Sequence, residues 1–413
     1  MGGNLIIEHA TIVTPTGNEA VSGKKMRELY QRHNSFILIS DGKIEEIGPM
    51  KSVPDLDSTY RRYNAGGCVV LPGFIDSHTH LVFGGLRADE FECRLRGESY
   101  MSIMEKGGGI QATVNSTRQA SSLELNEKAR FFLKRMSEMG VTTVEIKSGY
   151  GLDVSTELKM LEVIENLIIS EKSYIRILPT YMGAHAVPSE FSGKKSDYIK
   201  LLIDNLALMK KKAIFFDVFC EKNVFEIEET RLLLEEARKH GFKLKLHADE
   251  IVPLGGAELA AEMGTVSADH LLHVSDTGIK KMAEAGVVAT LLPLTAFALK
   301  EPYAPARKLI DCGCSVALAT DLNPGSCFSG SIPLTIALAC IYMNMSVEET
   351  ITALTINGAA ALNIAHETGS IEEGKRGDVV ILNCNNYKIL PYYIGMNCVK
   401  TTVFNGNIVN SNF

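Results

Sequence analysis

The sequence lacks three features that would place it in common functional classes. Its net charge is −7 over 413 residues, so it has no basic excess to neutralise nucleic-acid phosphates. Its longest apolar stretch, residues 286–299, is interrupted by Pro293 and Thr295 and is too short to span a bilayer. Its nine cysteines contain no CxxC pair, which favours reduced thiols over a disulfide framework. We therefore expect a cytoplasmic protein that binds neither nucleic acid nor membranes.

A pair of histidines follows an apolar run in the first quarter of the chain. Residues 69–80 read VVLPGFIDSHTH, in which the apolar segment leads to His78 and His80. Residues two apart in an extended strand point to the same face, so both imidazoles can reach one metal ion. Because a lone HxH motif also arises by chance, the interpretation depends on further ligands elsewhere in the chain.

Three further polar residues end short strand-like runs in the middle of the chain. His247 ends FKLKLH, His270 ends SADH and Asp321 ends SVALATD. Barrel enzymes carry catalytic groups at the C-terminal ends of several strands. Two histidines from strand one, His247 from strand five and Asp321 from strand eight form an N3O set that suits zinc or iron(II). We therefore predict one zinc or iron ion per chain, bound by His78, His80, His247 and Asp321.

The middle of the chain alternates strand-like and helical patterns, as a parallel barrel requires. The strand-like runs are residues 69–75, 142–148, 176–183, 213–220, 242–247, 266–270, 287–293 and 315–320. Eight such runs predict an α/β fold, a (β/α)8 TIM-like barrel, which we assign to residues 66–370.

The two ends of the chain have a different pattern. Residues 1–65 and 371–413 contain short strand-like pieces, with turn signals at Asp41-Gly42 and Asn405-Gly406. We expect these two segments to form one small β-sandwich into which the barrel is inserted. Residues 15–35 are expected to form a polar loop.

Five motifs carry a resemblance to a known family. They are KSGYGL at 147–152, GAHAVP at 183–188, HADE at 247–250, SADHLLH at 267–273 and TDLNPGS at 320–326. Together with the HxH strand, they resemble the imidazolonepropionase family of the amidohydrolase superfamily over nearly the whole chain. The resemblance implies a metal-dependent hydrolase that opens the ring C–N bond of 4-imidazolone-5-propanoate and forms N-formimidoyl-L-glutamate in histidine degradation. It also implies one zinc or iron ion per chain and a homodimer.

The residues expected to contact the substrate lie mostly in loops that follow the strands. By the resemblance they are Arg87, Tyr100, Tyr150, His185, Glu250, Asn323, Gly325 and Ser326. A cationic Arg87 with tyrosine and histidine donors at the barrel mouth suits a small substrate that carries a carboxylate.

Three residues are expected to take part in catalysis. Asp321 can bind the metal and carry a proton from the attacking water to the leaving nitrogen. His270 can polarise the substrate carbonyl or stabilise the developing oxyanion. Glu250 can orient the water or hold a ring N–H of the substrate, although some members of the family carry Gln at this position.

Two other functions share parts of this pattern. A deaminase of the same superfamily would use the same metal ligands, but a neutral nucleobase has no carboxylate for Arg87. A catalytically silent amidohydrolase fold would act as a scaffold, but such proteins typically lack metal ligands and none is missing here. Glu221 and Lys222, at the end of strand four, leave a second metal ion open, because two-metal amidohydrolases carry a bridging lysine or glutamate there.

Overall fold

In the computed structural model, which describes residues 2–98 and 108–412, the strands form two eight-stranded sheets. The strands of these described ranges are β1 (Leu5–Thr14), β2 (Tyr30–Ser40), β3 (Lys43–Pro49), β4 (Arg61–Asn64), β5 (Val69–Pro72), β6 (Phe74–Asp76), β7 (Val141–Lys147), β8 (Arg176–Ala184), β9 (Phe215–Cys220), β10 (Lys243–Ala248), β11 (Ser267–His270), β12 (Val288–Leu291), β13 (Val316–Leu318), β14 (Val379–Leu382), β15 (Val399–Phe404) and β16 (Asn407–Ser411).

The first sheet is built from both ends of the chain. Its strand order is β16-β15-β14-β5-β1-β2-β3, and β4 lies parallel to the first half of β1. Side chains alternate between the two faces of β1, because successive residues of a strand point in opposite directions. Leu5 and Ile7 pack in one apolar cluster with Ile37, whereas Ile6 packs in another with Phe36. The predicted β-sandwich of the two chain ends is observed as one eight-stranded sheet, which confirms that both ends contribute to an additional β-structure beside the barrel.

The second sheet is a parallel barrel of strands β6 to β13 in sequential order. Its first and last strands meet just beyond their ends, where Thr79 forms a parallel bridge with Leu322. The Asp321 N–H donates to the His78 carbonyl over 3.0 Å, and the His80 N–H donates to the Leu322 carbonyl over 2.9 Å. The predicted barrel is therefore confirmed, and its closure brings two of the predicted metal-binding segments side by side.

Helices alternate with the barrel strands and continue after the last one. The α-helices of the described ranges are Ala88–Leu95, Ile110–Gln119, Ser122–Glu138, Val154–Ser170, Lys195–Met209, Ile227–Lys239, Gly256–Met263, Asp276–Ala285, Pro293–Leu299, Ala306–Asp311, Ile332–Tyr342, Val347–Leu354, Ile356–Ala361 and Ile389–Tyr392. The 3-10 helices are Gly23–Arg27, Met50–Ser52 and Ser189–Phe191. Within these ranges, no helix combines the length and the apolar character that crossing a bilayer requires.

Local sequence sets the bounds of the helix Ser122–Glu138. At its start, Ser121 and Glu124 form a reciprocal capping box that satisfies two backbone N–H groups. Just past its end, Gly140 has a φ of 91°, a conformation that glycine adopts without steric cost. The chain then enters β7 directly.

Two expectations about strand positions are wrong. The run 69–75 is not one barrel strand, because it divides at Pro72-Gly73 into β5 of the first sheet and β6 of the barrel. Residues 30–35 are not part of a loop, because they begin β2 and pair with β1 despite their polar character. The domain division at residues 65/66 and 370/371 stays a proposal, with β5 belonging to the terminal sheet.

Candidate metal centre and active site

Three histidine side chains converge at the C-terminal end of the barrel. His78 and His80 follow β6, and His247 lies near the end of β10. The Nε2 atoms of His78 and His80 are 3.3 Å apart, and those of His247 and His80 are 3.4 Å apart. All three side chains are buried. The structure therefore brings together three of the four predicted ligands.

Asp321, the fourth predicted ligand, joins this group from the segment after β13. Its Oδ1 is 3.6 Å from His78 Nε2 and 3.8 Å from His80 Nε2. Its Oδ2 accepts a hydrogen bond from Thr295 Oγ1 over 2.6 Å. One carboxylate oxygen therefore faces the histidines while the other is held by the protein.

The spacing of the histidine Nε2 atoms fits a tetrahedral metal ion. Zinc–nitrogen bonds of about 2.0–2.1 Å place the ligand atoms of a tetrahedron about 3.3–3.4 Å apart. The two histidine distances of 3.3 and 3.4 Å match this separation. Metal-binding atoms of His78, His80 and Asp321 lie within 4.8 Å of one another, and so do those of His78, His247 and His270. A cation at the centre would remove the repulsion between nitrogen lone pairs that point at one another.

Burial keeps His78 and His80 in the neutral form that binds metals. Desolvation lowers the pKa of His78 and the pKa of His80 well below the usual range. Burial raises the pKa of Asp321 to about 6, and the hydrogen bond from Thr295 opposes this rise. A divalent cation beside the carboxylate would favour its ionised form.

Two site residues have backbone conformations that residues with side chains rarely adopt. The φ angle is 54° at Asp321 and 76° at His270, both in the left-handed region. Such conformations cost on the order of 1–3 kcal/mol each and persist where the surrounding structure determines them. Here they turn the chain sharply at two strand ends, at the positions where the sequence predicts functional side chains.

Sequence reasoning missed the carboxylates that hold two of the histidines. Asp269 Oδ2 lies 2.6 Å from His78 Nδ1, and Asp217 Oδ1 lies 3.1 Å from His247 Nδ1. The sequence did contain a signal for Asp217, which interrupts the otherwise apolar strand FFDVFC. A buried carboxylate needs a partner, so its presence in such a strand indicates a polar contact inside the barrel.

Tyr150 and His185, two predicted substrate contacts, lie beside His80. The His185 ring stacks on the His80 ring with centroids 4.9 Å apart, and the Tyr150 centroid is 5.2 Å from that of His185. His185 Nδ1 lies 3.0 Å from the Gly149 carbonyl oxygen. Burial lowers the pKa of His185 to about 3, so the ring is neutral and Nδ1 can donate to that oxygen.

The loop that carries Tyr150 wraps around a buried carboxylate. The side chain of Glu157 accepts hydrogen bonds from the backbone N–H groups of Gly149, Gly151 and Leu152 over 3.1, 2.8 and 3.0 Å. These contacts fix the KSGYGL segment against the helix that follows it. Glu157 was not among the predicted site residues, and its hydrogen bonds hold the loop that carries Tyr150.

Arg87 lies near the barrel mouth and is already paired. Its Nε donates to Glu90 Oε2 over 2.9 Å, and its Nη2 donates to Glu90 Oε1. Glu90 also accepts a hydrogen bond from the Gly109 N–H over 2.8 Å. Arg87 Nη1 faces Gly325 so closely that a Cβ at Gly325 would lie 2.2 Å from it. The binding of a substrate carboxylate by Arg87 stays a prediction.

The loop after Asp321 folds around Asn323. The Oδ1 of Asn323 accepts the backbone N–H groups of Gly325 and Ser326, each over 2.8 Å. Its Nδ2 donates to the Asp321 carbonyl over 2.8 Å and to Ser326 Oγ over 2.9 Å. Asn323 therefore shapes this loop, and the contacts of these three residues with substrate stay predictions.

Glu250 lies beside His270, and its side chain is 15% exposed. The distance from Glu250 Oε2 to His270 Nε2 is 3.5 Å. Burial raises the pKa of Glu250 well above its usual range, and the nearby Asp321 and Glu221 carboxylates add to this effect. A protonated Glu250 can donate a hydrogen bond, as the amide of a glutamine also can.

Comparisons with known proteins agree with this geometry. The sequence pattern of the amidohydrolase family matches residues 69–409. The chain belongs to the amidohydrolase family. Imidazolonepropionase of Bacteroides thetaiotaomicron is 60% identical over 412 residues, which cover 98% of this chain and 99% of that protein. Imidazolonepropionase of Clostridium tetani is 53% identical over 413 residues, with 98% of each chain covered.

Solved structures share the fold of this amidohydrolase at low sequence identity. The 5-methylcytosine deaminase of Klebsiella pneumoniae, liganded with phosphonocytosine, superposes with a TM-score of 0.75 at 16% identity, covering 99% of this chain and 98% of that one. Guanine deaminase of E. coli has a TM-score of 0.73 at 15% identity, covering 99% and 100%. At these identities the likeness concerns the fold alone.

Glu221 and Lys222, which the sequence left open as ligands of a second metal ion, follow the end of β9. Glu221 Oε2 accepts the Ile251 N–H over 2.8 Å, and its Oε1 accepts the Lys222 N–H over 2.8 Å. Glu221 thus clamps the loop after β10, while Lys222 is exposed. Glu221 does not belong to the groups of His, Cys, Asp and Glu with metal-binding spacing found in the described residues. Tyr100, the remaining predicted substrate contact, lies outside the described residues.

Proposed function

We propose that this amidohydrolase hydrolyses the ring C–N bond of 4-imidazolone-5-propanoate to N-formimidoyl-L-glutamate in histidine degradation. The observation that carries the proposal is the convergence of the His78, His80, His247 and Asp321 side chains, whose neighbouring ligand atoms lie 3.3, 3.4, 3.6 and 3.8 Å apart. The substrate class follows from relatives up to 60% identical that are named imidazolonepropionase.

The proposed metal centre holds one ion, zinc or iron(II), on His78, His80, His247 and Asp321. Three neutral imidazoles and one carboxylate suit either metal. A bound ion would supply Lewis-acid polarisation and would lower the pKa of a water molecule at the open position.

The residues of the chain then move the proton and stabilise charge. Asp321 accepts a proton from the attacking water and passes it to the ring nitrogen as the water oxygen bonds to the carbonyl carbon and the C–N bond breaks. The Thr295 hydroxyl, 2.6 Å from Asp321 Oδ2, orients this carboxylate. His270 is the donor proposed for the developing oxyanion. Glu250 is proposed to hold a ring N–H or the water.

The propionate side chain is proposed to bind at the barrel mouth. Arg87 would share its guanidinium between Glu90 and the substrate carboxylate, since Nη1 is not one of the nitrogens that bind Glu90. Tyr150 and His185 line the side next to His80. The remaining proposed contacts are Tyr100, Asn323, Gly325 and Ser326. We also propose that the enzyme is a cytoplasmic homodimer that acts on this small molecule.

A nucleobase deaminase is the second candidate, because deaminases share this fold. The two candidate functions are distinguished by supplying the metal-replete protein with imidazolone propionate and following the ultraviolet absorbance of the ring. Loss of absorbance with formation of formimidoylglutamate supports the proposal. Ammonia release from cytosine or guanine without imidazolone turnover would refute it. The double variant His78→Ala/His80→Ala is the inactive control.

A further inference from the structure

Next to the proposed metal ligands, the barrel interior holds five charged side chains that are fully buried. They are Glu145, Lys147, Asp217, Lys245 and Asp269, which we call the interior charge cluster. Lys147 Nζ is 2.9 Å from Glu145 Oε1 and 2.7 Å from Asp217 Oδ2. Lys245 Nζ is 2.6 Å from Glu145 Oε2. Burying five charges contributes little to stability, because desolvation offsets their attraction. The cluster therefore calls for a role other than stability.

Two members of the interior charge cluster contact metal-binding histidines. Asp269 lies 2.6 Å from His78 Nδ1, and Asp217 lies 3.1 Å from His247 Nδ1. An ionised carboxylate can only accept a hydrogen bond, so beside each histidine it selects the tautomer that carries the hydrogen on Nδ1. Each Nε2 then keeps its lone pair, and these Nε2 atoms are the ones that lie close to His80 Nε2.

The other contacts hold the two carboxylates in place. Lys147 binds Asp217 Oδ2, the oxygen that His247 does not use. Ser267 Oγ donates to Asp269 Oδ1 over 2.6 Å, and Lys147 Nζ lies 3.7 Å from Asp269 Oδ2. Each aspartate is thus engaged at both oxygens, which leaves its side chain one orientation.

The third histidine provides a comparison within the same site. The Nδ1 of His80 is buried and has no hydrogen-bond partner among the described residues. Its ring is held by stacking on His185. The interior charge cluster therefore acts on two of the three histidines.

We propose that the interior charge cluster positions the metal ligands. Asp269 and Asp217 fix the tautomer and orientation of His78 and His247 and make them stronger ligands, and the lysines hold the aspartates. The inference rests on the proposed metal centre. Partners of this kind typically change metal affinity by about 10- to 100-fold.

The test compares Asp269→Asn and Asp217→Asn with wild type in zinc affinity, measured by chelator competition. We expect affinity to fall by about 10- to 100-fold in each variant. The absorption spectrum of the cobalt(II)-substituted protein should also change, because it reports ligand geometry. Thr290→Val is the matched control: Thr290 pairs with Asp269 in register, and its buried hydroxyl has no partner in the described residues. It should retain wild-type affinity and spectrum.

A double variant that keeps the net charge of the cluster tests whether a buried charge imbalance explains the loss of zinc affinity. Asp217→Asn/Lys147→Met removes one buried charge of each sign, so the net charge of the cluster is unchanged. We expect it to fold by circular dichroism and to bind zinc as weakly as Asp217→Asn. Wild-type affinity in the double variant would overturn the proposal, because charge balance would then explain the cluster. If wild type binds no metal, the proposed metal centre itself fails. If wild type and both Asn variants bind equally, only this inference fails.

Discussion

Replacing Asp321 by asparagine should separate metal binding from proton transfer. Asparagine has the same shape, so its carbonyl oxygen can stay where Oδ1 lies, 3.6 Å from His78 Nε2 and 3.8 Å from His80 Nε2. Its amide nitrogen would take the place of Oδ2 and donate to Thr295 Oγ1, which can also accept a hydrogen bond. The variant therefore keeps three imidazoles and a neutral oxygen for the ion.

What Asp321→Asn loses is the group that accepts a proton. General acid–base catalysis is typically worth about 10²- to 10⁴-fold in rate. We expect kcat to fall by that factor while saturating zinc still loads the protein to about one ion per chain, the occupancy of a single site. Stopped assays on imidazolone propionate give kcat, and elemental analysis of the same sample gives the metal content.

Thr295→Val is the control for Asp321→Asn, because it removes the 2.6 Å hydrogen bond to Oδ2 and keeps the Asp321 carboxylate. A hydrogen bond to a charged group is worth about 1.5–3 kcal/mol, so a kcat loss of about 10- to 150-fold is expected. A metal-loaded Asp321→Asn enzyme with near wild-type kcat would refute the reasoning. The proton acceptor would then have to be sought at Glu250 or His270.

Four further predictions concern the metal and the substrate pocket. His78→Ala/His80→Ala should abolish metal binding by elemental analysis, and undiminished metal would reject the ligand assignment. Arg87→Met should lower kcat/KM about 10- to 150-fold for the carboxylate substrate but little for a neutral amide analogue; equal loss on both would show that Arg87 does not bind the carboxylate. Glu157→Gln should raise KM more than it lowers kcat, because Glu157 holds the loop of Tyr150; an unchanged KM would contradict that role. Chelation should lower Tm in a calorimetric scan, since an ion at 1,000 times its Kd stabilises the folded state by about 4 kcal/mol; an unchanged Tm would argue against a resident ion.

The sequence predicts the barrel well because its signals are local. Strand-like runs such as 142–148 and 176–183 correspond to β7 (Val141–Lys147) and β8 (Arg176–Ala184) within one residue at each end. Glycine and capping residues mark the helix ends in the same local way. The prediction of strands fails where pairing with a neighbouring strand overrides the polar character of the residues. In β2 the polar first residues form a strand because they pair with β1.

The predicted metal ligands follow from strand periodicity and the position of polar residues at strand ends. Spacing in the sequence places His78 and His80 on one face, and the barrel topology places His247 and Asp321 at the same rim. The motifs identify the family as well, because they combine residue types that the reaction needs in a fixed order along the chain. The spacing of the two histidines, the polar residues at strand ends and the motifs are properties of short segments, so the sequence by itself determined them.

Only the tertiary structure decided which side chains hold these ligands in place. Asp269 and His78 are 191 positions apart, and their contact depends on the register and closure of the whole barrel. The contact of Glu221 with the backbone of Ile251 likewise depends on where separate loops meet. Residue type shows that a buried carboxylate needs a partner, but the packed barrel selects the partner, because distances between side chains are set only when the strands assemble.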